Sequence, residues 1–149
     1  MPARKTLPHD VPTWLDPSHE IYFITICCAR RGVNQLANPK PGNLLLETVR
    51  YRNDTTLWYA HLALVMPDHI HLLLTFPQTA VSIRRVISKW KDWTAKSGAI
   101  VWQRDFFEHR LREEESFREK SDYILANPLR AGLVQRNEEW PYVFRGEMA

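Results

Sequence analysis

The chain has 149 residues, 44% hydrophobic and 25% charged, with a formal net charge of +3. That is enough chain for one compact core, and the balance excludes a disordered or fibrous protein, while the mild basic excess permits a polyanionic partner without requiring one. No apolar run approaches the roughly 20 residues of a membrane span, and the start, MPARKTLPHDVP, lacks the apolar stretch of a secretion signal, so a cytoplasmic protein with no membrane partner is expected.

In chain order, residues 1–20 are proline-rich and read as a loosely held arm. IYFITICC, from Ile21, is β-branched and aromatic and predicts a strand, in which the adjacent Cys27 and Cys28 point to opposite faces as reduced thiols. NPKPG breaks the chain before a helix, and from Gly42 the residues Leu45, Val49 and Arg52 fall at helical intervals up to Asn53 and Asp54. LWYAHLALVM, from Leu57, is followed by a Pro-Asp turn and HIHLLLTF, which predicts a hairpin. TAVSIRRVISKWKDWTAK sets Ile83, Val86, Ile87, Trp90 and Trp93 on one helical face, with Arg84, Arg85, Lys89 and Lys91 around the other. After Gly98, IVWQRDFFEHRLR reads as extended, and EEESFREKSDYILAN as a helix with an acidic first turn, stopped by Pro128. Residues 135–149 read as a tail. The order is the split β-α-β-β-α-β pattern of an α+β domain with an additional C-terminal helix, and nothing divides the 149 residues into two domains.

Three features carry chemistry. In MPDHIHLLL, strand alternation puts His69, His71, Leu73 and Thr75 on one face and Ile70, Leu72, Leu74 and Phe76 on the core face. The two histidine Cα atoms are then roughly 6.5 to 7 Å apart, within reach of one cation at nitrogen bond lengths of about 2 Å. The ordinary alternative is that each imidazole only hydrogen-bonds a neighbour on a half-exposed face. In SDYILANPLRAGLV, Tyr123 and Asn127 are four apart and share a helix face if Asn127 still belongs to the last turn, with Glu119 a rival for that face. Between Arg84 and Arg112 there are eight basic side chains (Arg84, Arg85, Lys89, Lys91, Lys96, Arg104, Arg110 and Arg112) against three acidic ones. Trp90, Trp93, Trp102, Phe106 and Phe107 are interleaved with them, a mixture suited to gripping phosphates and stacking bases, or equally to a solvated helix face over aromatic core.

Together, MPDHIHLLL and YILANPLRAGLV resemble the REP-associated tyrosine transposases, relatives of the small insertion-sequence transposases in the HUH single-strand nuclease superfamily. The resemblance runs from the first strand to about Val134. It implies a ferredoxin-like antiparallel sheet, Tyr123 as a catalytic nucleophile, and His69 and His71 as ligands of a divalent metal, Mg²⁺ or Mn²⁺. Asn127 stands where related transposases place a third ligand, often Gln, and is one methylene shorter. Glu108 stands where the pattern before the tyrosine helix has Asp. The implied activity is nicking and joining of single-stranded or hairpin DNA through a 5′-phosphotyrosine, the phenol proton passing to a metal-linked water or to Lys120. Arg84, Arg85, Lys89, Lys91, Arg104, Arg110 and Arg112 would hold the flanking DNA. The acting form is a monomer or a homodimer. Two other readings compete: a non-catalytic single-stranded nucleic-acid-binding module on the same strand order, and a metal-dependent hydrolase that uses water.

Overall fold

The computed structural model describes residues 20–77, 82–112, 116–136 and 138–146. The expected N-terminal arm and the acidic triplet 113–115 therefore lie outside the described residues, Glu20 excepted. The elements are β1 (Tyr22–Cys27), α1 (Pro39–Asp54), β2 (Tyr59–Val65), β3 (His69–Thr75), α2 (Ile83–Gly98), β4 (Phe107–Arg110), α3 (Phe117–Leu125), α4 (Asn127–Arg130) and β5 (Val143–Arg145). They build one sheet in the order β4-β1-β3-β2-β5, with every neighbouring pair antiparallel. Its first four strands have the order expected of the split β-α-β-β-α-β pattern. Among the described residues no helix is long and apolar enough to cross a membrane.

One face of the sheet is the main core. Ile24 and Ile26 of β1, and Ile70, Leu72 and Leu74 of β3, meet Leu45 and Val49 of α1 and Val86, Ile87 and Trp90 of α2. Each fully buried aliphatic or aromatic side chain contributes about 1.5–3 kcal/mol. Trp90 lies 6.0 Å from Trp58, ring centre to ring centre, and its indole N–H donates to Thr48 Oγ1 at 2.9 Å, so its one polar atom is satisfied inside the core. The opposite face carries the histidines, as alternation predicts, but it is no open surface. Leu62, Leu64 and Leu73 are buried there beneath Ile124 of α3, with Trp140 and Val143 packed against them.

Several elements differ from the sequence reading. Helix α1 begins inside NPKPG, because a proline at a helix's first position has no N–H to lose and Pro39 occupies that position. Only Phe107–Arg110 of the expected extended segment is strand, preceded by a single bridge between Cys28 and Trp102. On α2, Trp93 is 47% exposed and the core position falls to Thr94, whose hydroxyl accepts from the Trp102 indole at 3.0 Å. The tail from residue 135 supplies a fifth strand, which covers the outer edge of β2, and Trp140 donates to the Val65 carbonyl at 2.8 Å. Strand β2 holds a bulge at His61: Ala60 faces the helices α1 and α2, yet Leu62 and Leu64 face α3.

Candidate active site

The turn that delivers the histidine pair is fixed from several sides. Pro67 and Asp68 link β2 to β3, and the Met66 N–H donates to the His69 carbonyl at 2.8 Å. The Asp68 carbonyl accepts from Cys28 N–H, and the Pro67 carbonyl accepts from both Gln35 and Leu36. His69 and His71 then leave the same face with ring centres 4.7 Å apart and planes 76° from parallel.

Each ring has its Nδ1 engaged. His69 Nδ1 lies 2.8 Å from Asp68 Oδ1, and His71 Nδ1 lies 2.9 Å from Thr25 Oγ1. Asp68 is itself held, its Oδ2 accepting from Arg31 Nε at 2.9 Å and from the Gly32 N–H at 2.8 Å. Gly32 has φ +81°, a conformation that only glycine takes without strain. Burial raises the Asp68 carboxyl, but the hydrogen bonds from Arg31, Gly32 and His69 outweigh it and hold the group well below the usual carboxylate range. The Asp68 carboxylate thus fixes the His69 ring through Nδ1, which leaves Nε2 as the nitrogen for a metal. Such a carboxylate–histidine pairing orients metal-ligating imidazoles and raises their basicity.

His71 is pushed down to about pKa 3, first by burial and then by the charges of His69 and Arg130, so it is neutral near pH 7. Its ring also rests 5.5 Å from that of Phe23. A neutral imidazole with Nδ1 anchored is the form in which histidine ligates a metal. The histidine pair therefore fits the group that the resemblance implies. The sequence reading missed Asp68, Thr25 and Arg31; Asp68 sits next to His69 in the chain, but it was read only as a turn residue. Asp68→Ala is expected to weaken Mn²⁺ binding by about 10- to 100-fold, with Asp68→Asn intermediate because its amide oxygen still accepts from His69. Calorimetric titration of folded protein with Mn²⁺ checks this, and an unchanged affinity in Asp68→Ala removes the carboxylate from the site.

The tyrosine arrives from the layer above. Ser116 caps α3, its hydroxyl accepting from the Glu119 N–H, and Ile124 turns into the second core. Tyr123 on the neighbouring helical position is 58% exposed. The Lys120 ammonium stands 5.9 Å from the Tyr123 ring centre and 5.5 Å from that of Phe23, and the Arg130 guanidinium carbon stands 4.2 Å from the Tyr123 ring. Since Phe23 also touches His71, a continuous path runs from the histidine through Phe23 and Lys120 to the tyrosine.

Asn127 is arranged differently from the expectation. Helix α3 ends at Leu125 and Asn127 begins the short α4, in which Pro128 sits at a tolerated early position rather than as a stop. The Asn127 side-chain oxygen accepts from Arg130 Nη2. Among the described residues no three His, Cys, Asp or Glu side chains converge as a metal site.

The expected DNA-binding row divides. Arg84, Arg85 and Lys89 are exposed on α2, and Arg104, Arg110 and Arg112 are exposed beyond it. Helix α2 packs on the sheet face opposite the histidines, so its basic residues do not line the site. Lys91 departs from the row: it is buried, its ammonium donating to the carbonyls of Gln103 and Arg104 at 2.8 Å each, and burial lowers its pKa. Arg31, Lys120 and Arg130 do flank the site, none of them in the expected basic segment.

No family model matches the chain. A REP-associated tyrosine transposase of Escherichia coli is 32% identical over 83 residues, covering 52% of this chain and 48% of that one. A Haemophilus influenzae protein described under the same family name is 32% identical over 96 residues, covering 52% and 53%. The match thus spans about half the length of these two relatives. A solved REP-associated tyrosine transposase bound to a REP hairpin superposes with a TM-score of 0.71 at 20% identity, covering 96% of this chain and 81% of that one. In sequence over half its length and in fold over nearly all of it, this chain is similar to the REP-associated tyrosine transposases.

Proposed function

We propose that this protein is a metal-dependent enzyme that nicks and rejoins single-stranded DNA beside a hairpin, through a 5′-phosphotyrosine on Tyr123. The observation that carries this reading is two imidazoles anchored through Nδ1 on one sheet face, with a tyrosine on the helix over that face connected to them through Phe23 and Lys120. The hairpin as substrate is supported by the solved relative's partner, a REP hairpin.

The phosphodiester to be cut repels an oxygen nucleophile by its charge. His69 and His71 would hold Mg²⁺ or Mn²⁺, which would supply charge neutralisation at the phosphate. Asp68 and Thr25 keep the two rings in orientation, and Lys120 and Arg130 attract the strand toward the exposed phenol. The Tyr123 oxygen attacks phosphorus and loses its proton to solvent; the new bond is tyrosine oxygen to phosphorus, the broken one is phosphorus to the 3′ oxygen, which leaves protonated as a free hydroxyl. Attack by a second 3′ hydroxyl reverses these steps and rejoins DNA without an external energy source. Each chain carries one such tyrosine, so two cleavages engage either two protomers or the same residue twice.

The test is a covalent adduct. Protein incubated with hairpin oligonucleotides carrying single-stranded flanks, plus Mn²⁺ or Mg²⁺, is expected to give a protein–DNA band on a denaturing gel that disappears with EDTA. Cleavage without a band means hydrolysis by water. Binding with neither band nor cleavage, across hairpins from the native genomic neighbourhood, means a non-catalytic module.

A further inference from the structure

The dipeptide Phe106-Phe107 splits across the sheet. Phe106 turns to the helix side, where Arg84 and Lys91 stand 5.4 and 5.8 Å from its ring and the core packs against it. Phe107 turns to the histidine side and is 55% exposed. The register fixes where: Thr25 of β1 pairs with Phe107 on one flank and with His71 on the other, so the three lie in one row across adjacent strands. Residues paired across antiparallel strands point to the same face, so the Phe107 ring stands on the active-site side, two strand spacings or roughly 10 Å from His71.

We propose that Phe107 is the stacking platform for an unpaired base of the DNA strand whose phosphate is held at His69 and His71; this rests on the nuclease reading above. The ring meets Phe23 edge-on at 5.9 Å, and Phe23 in turn meets His71 at 5.5 Å, so an aromatic row runs without a gap from the outer strand to the metal-ligating pair. The Lys120 ammonium stands over that row and Arg130 stands over the tyrosine beside it. Exposed aromatic surface bordered by cations is complementary to a single strand, which offers a base face and a phosphate at each repeat. A stacked strand advances about 3.4 Å per nucleotide, so the base on Phe107 lies within about three nucleotides of the phosphate at the histidines.

The experiment uses a hairpin with a ten-nucleotide oligo-dT flank in which a single 2-aminopurine is moved along the flank. Wild-type protein is expected to quench the fluorophore most strongly at one position. Phe107→Leu, which keeps apolar bulk without a π face, is expected to abolish that quenching and weaken flank binding by about 10- to 100-fold, and Phe107→Trp to restore both, at unchanged thermal stability. Equal quenching and affinity in Phe107→Leu overturn the platform, as does a loss of self-association in that variant by sedimentation, which would make the ring a contact between copies of the chain. Phe107-dependent quenching without a covalent adduct leaves the platform standing and removes the nuclease reading; an adduct with no dependence on Phe107 does the reverse.

Discussion

Replacing Tyr123 with phenylalanine is expected to eliminate the covalent protein–DNA species and to slow strand cleavage by at least about 10⁴-fold, the scale of loss when a covalent nucleophile is deleted. Hairpin affinity should stay within about two-fold, because the substitution removes one hydroxyl and keeps the ring against which Lys120 and Arg130 stand. Stability should change by no more than about 0.5 kcal/mol, since the side chain is mostly exposed and the buried face of α3 is carried by Ile124. Denaturing gels and fluorescence anisotropy on the same preparation separate chemistry from binding. A covalent band persisting in Tyr123→Phe would transfer the nucleophile to another residue and end this assignment.

His71→Ala is expected to have the second largest effect, lowering Mn²⁺ affinity on the order of 10³-fold, beyond the 10- to 100-fold typical of losing a supporting group such as Asp68. Binding of the hairpin stem should persist. Because His71 also packs against Phe23 and pairs with Thr25, truncation leaves a gap in the sheet face; His71→Gln, with comparable bulk, serves as the control for folding. If both variants bind Mn²⁺ as wild type does, the histidine pair is not a metal site. A graded series, with His71→Ala weaker than Asp68→Ala and both weaker than wild type, would support ligand and supporting-group roles separately.

The residues differ in how far their surroundings could be read from the chain. The common face of His69 and His71 was legible because alternation along a strand is a local property, and the apolar run settled which face is core. Their anchoring was not, because Thr25 meets His71 only through a pairing register that joins residues 46 apart in sequence. Helical periodicity gave the face of Val86, Ile87 and Trp90 correctly. It misassigned Trp93 and Lys91, since a 3.6-residue repeat does not register that Thr94 answers the Trp102 indole or that a long lysine stem reaches two carbonyls beyond the helix. The setting of Asn127 was not legible for a backbone reason: helix α3 ends at Leu125, Asn127 begins α4, and the neighbouring Arg130 donates to its amide oxygen. Strand β5 has three residues, too few for any periodic signal, and owes its form to the open edge of β2.

The bulge at His61 bears on how this protein can change. Because one supernumerary residue re-phases β2, Ala60, Ala63 and Val65 all answer to the helices α1 and α2 while Leu62 and Leu64 answer to the layer that carries Tyr123. His61 itself is locked in place, its Nε2 paired with Thr75 Oγ1 at 2.8 Å and its ring against Phe117 at the start of the tyrosine helix. Loss of a single residue there cannot be absorbed locally; it would turn the leucines under α3 toward the wrong layer and unseat the nucleophile's helix. The length of β2 is thus closed to single-residue drift, because the packing on both of its faces depends on that one register.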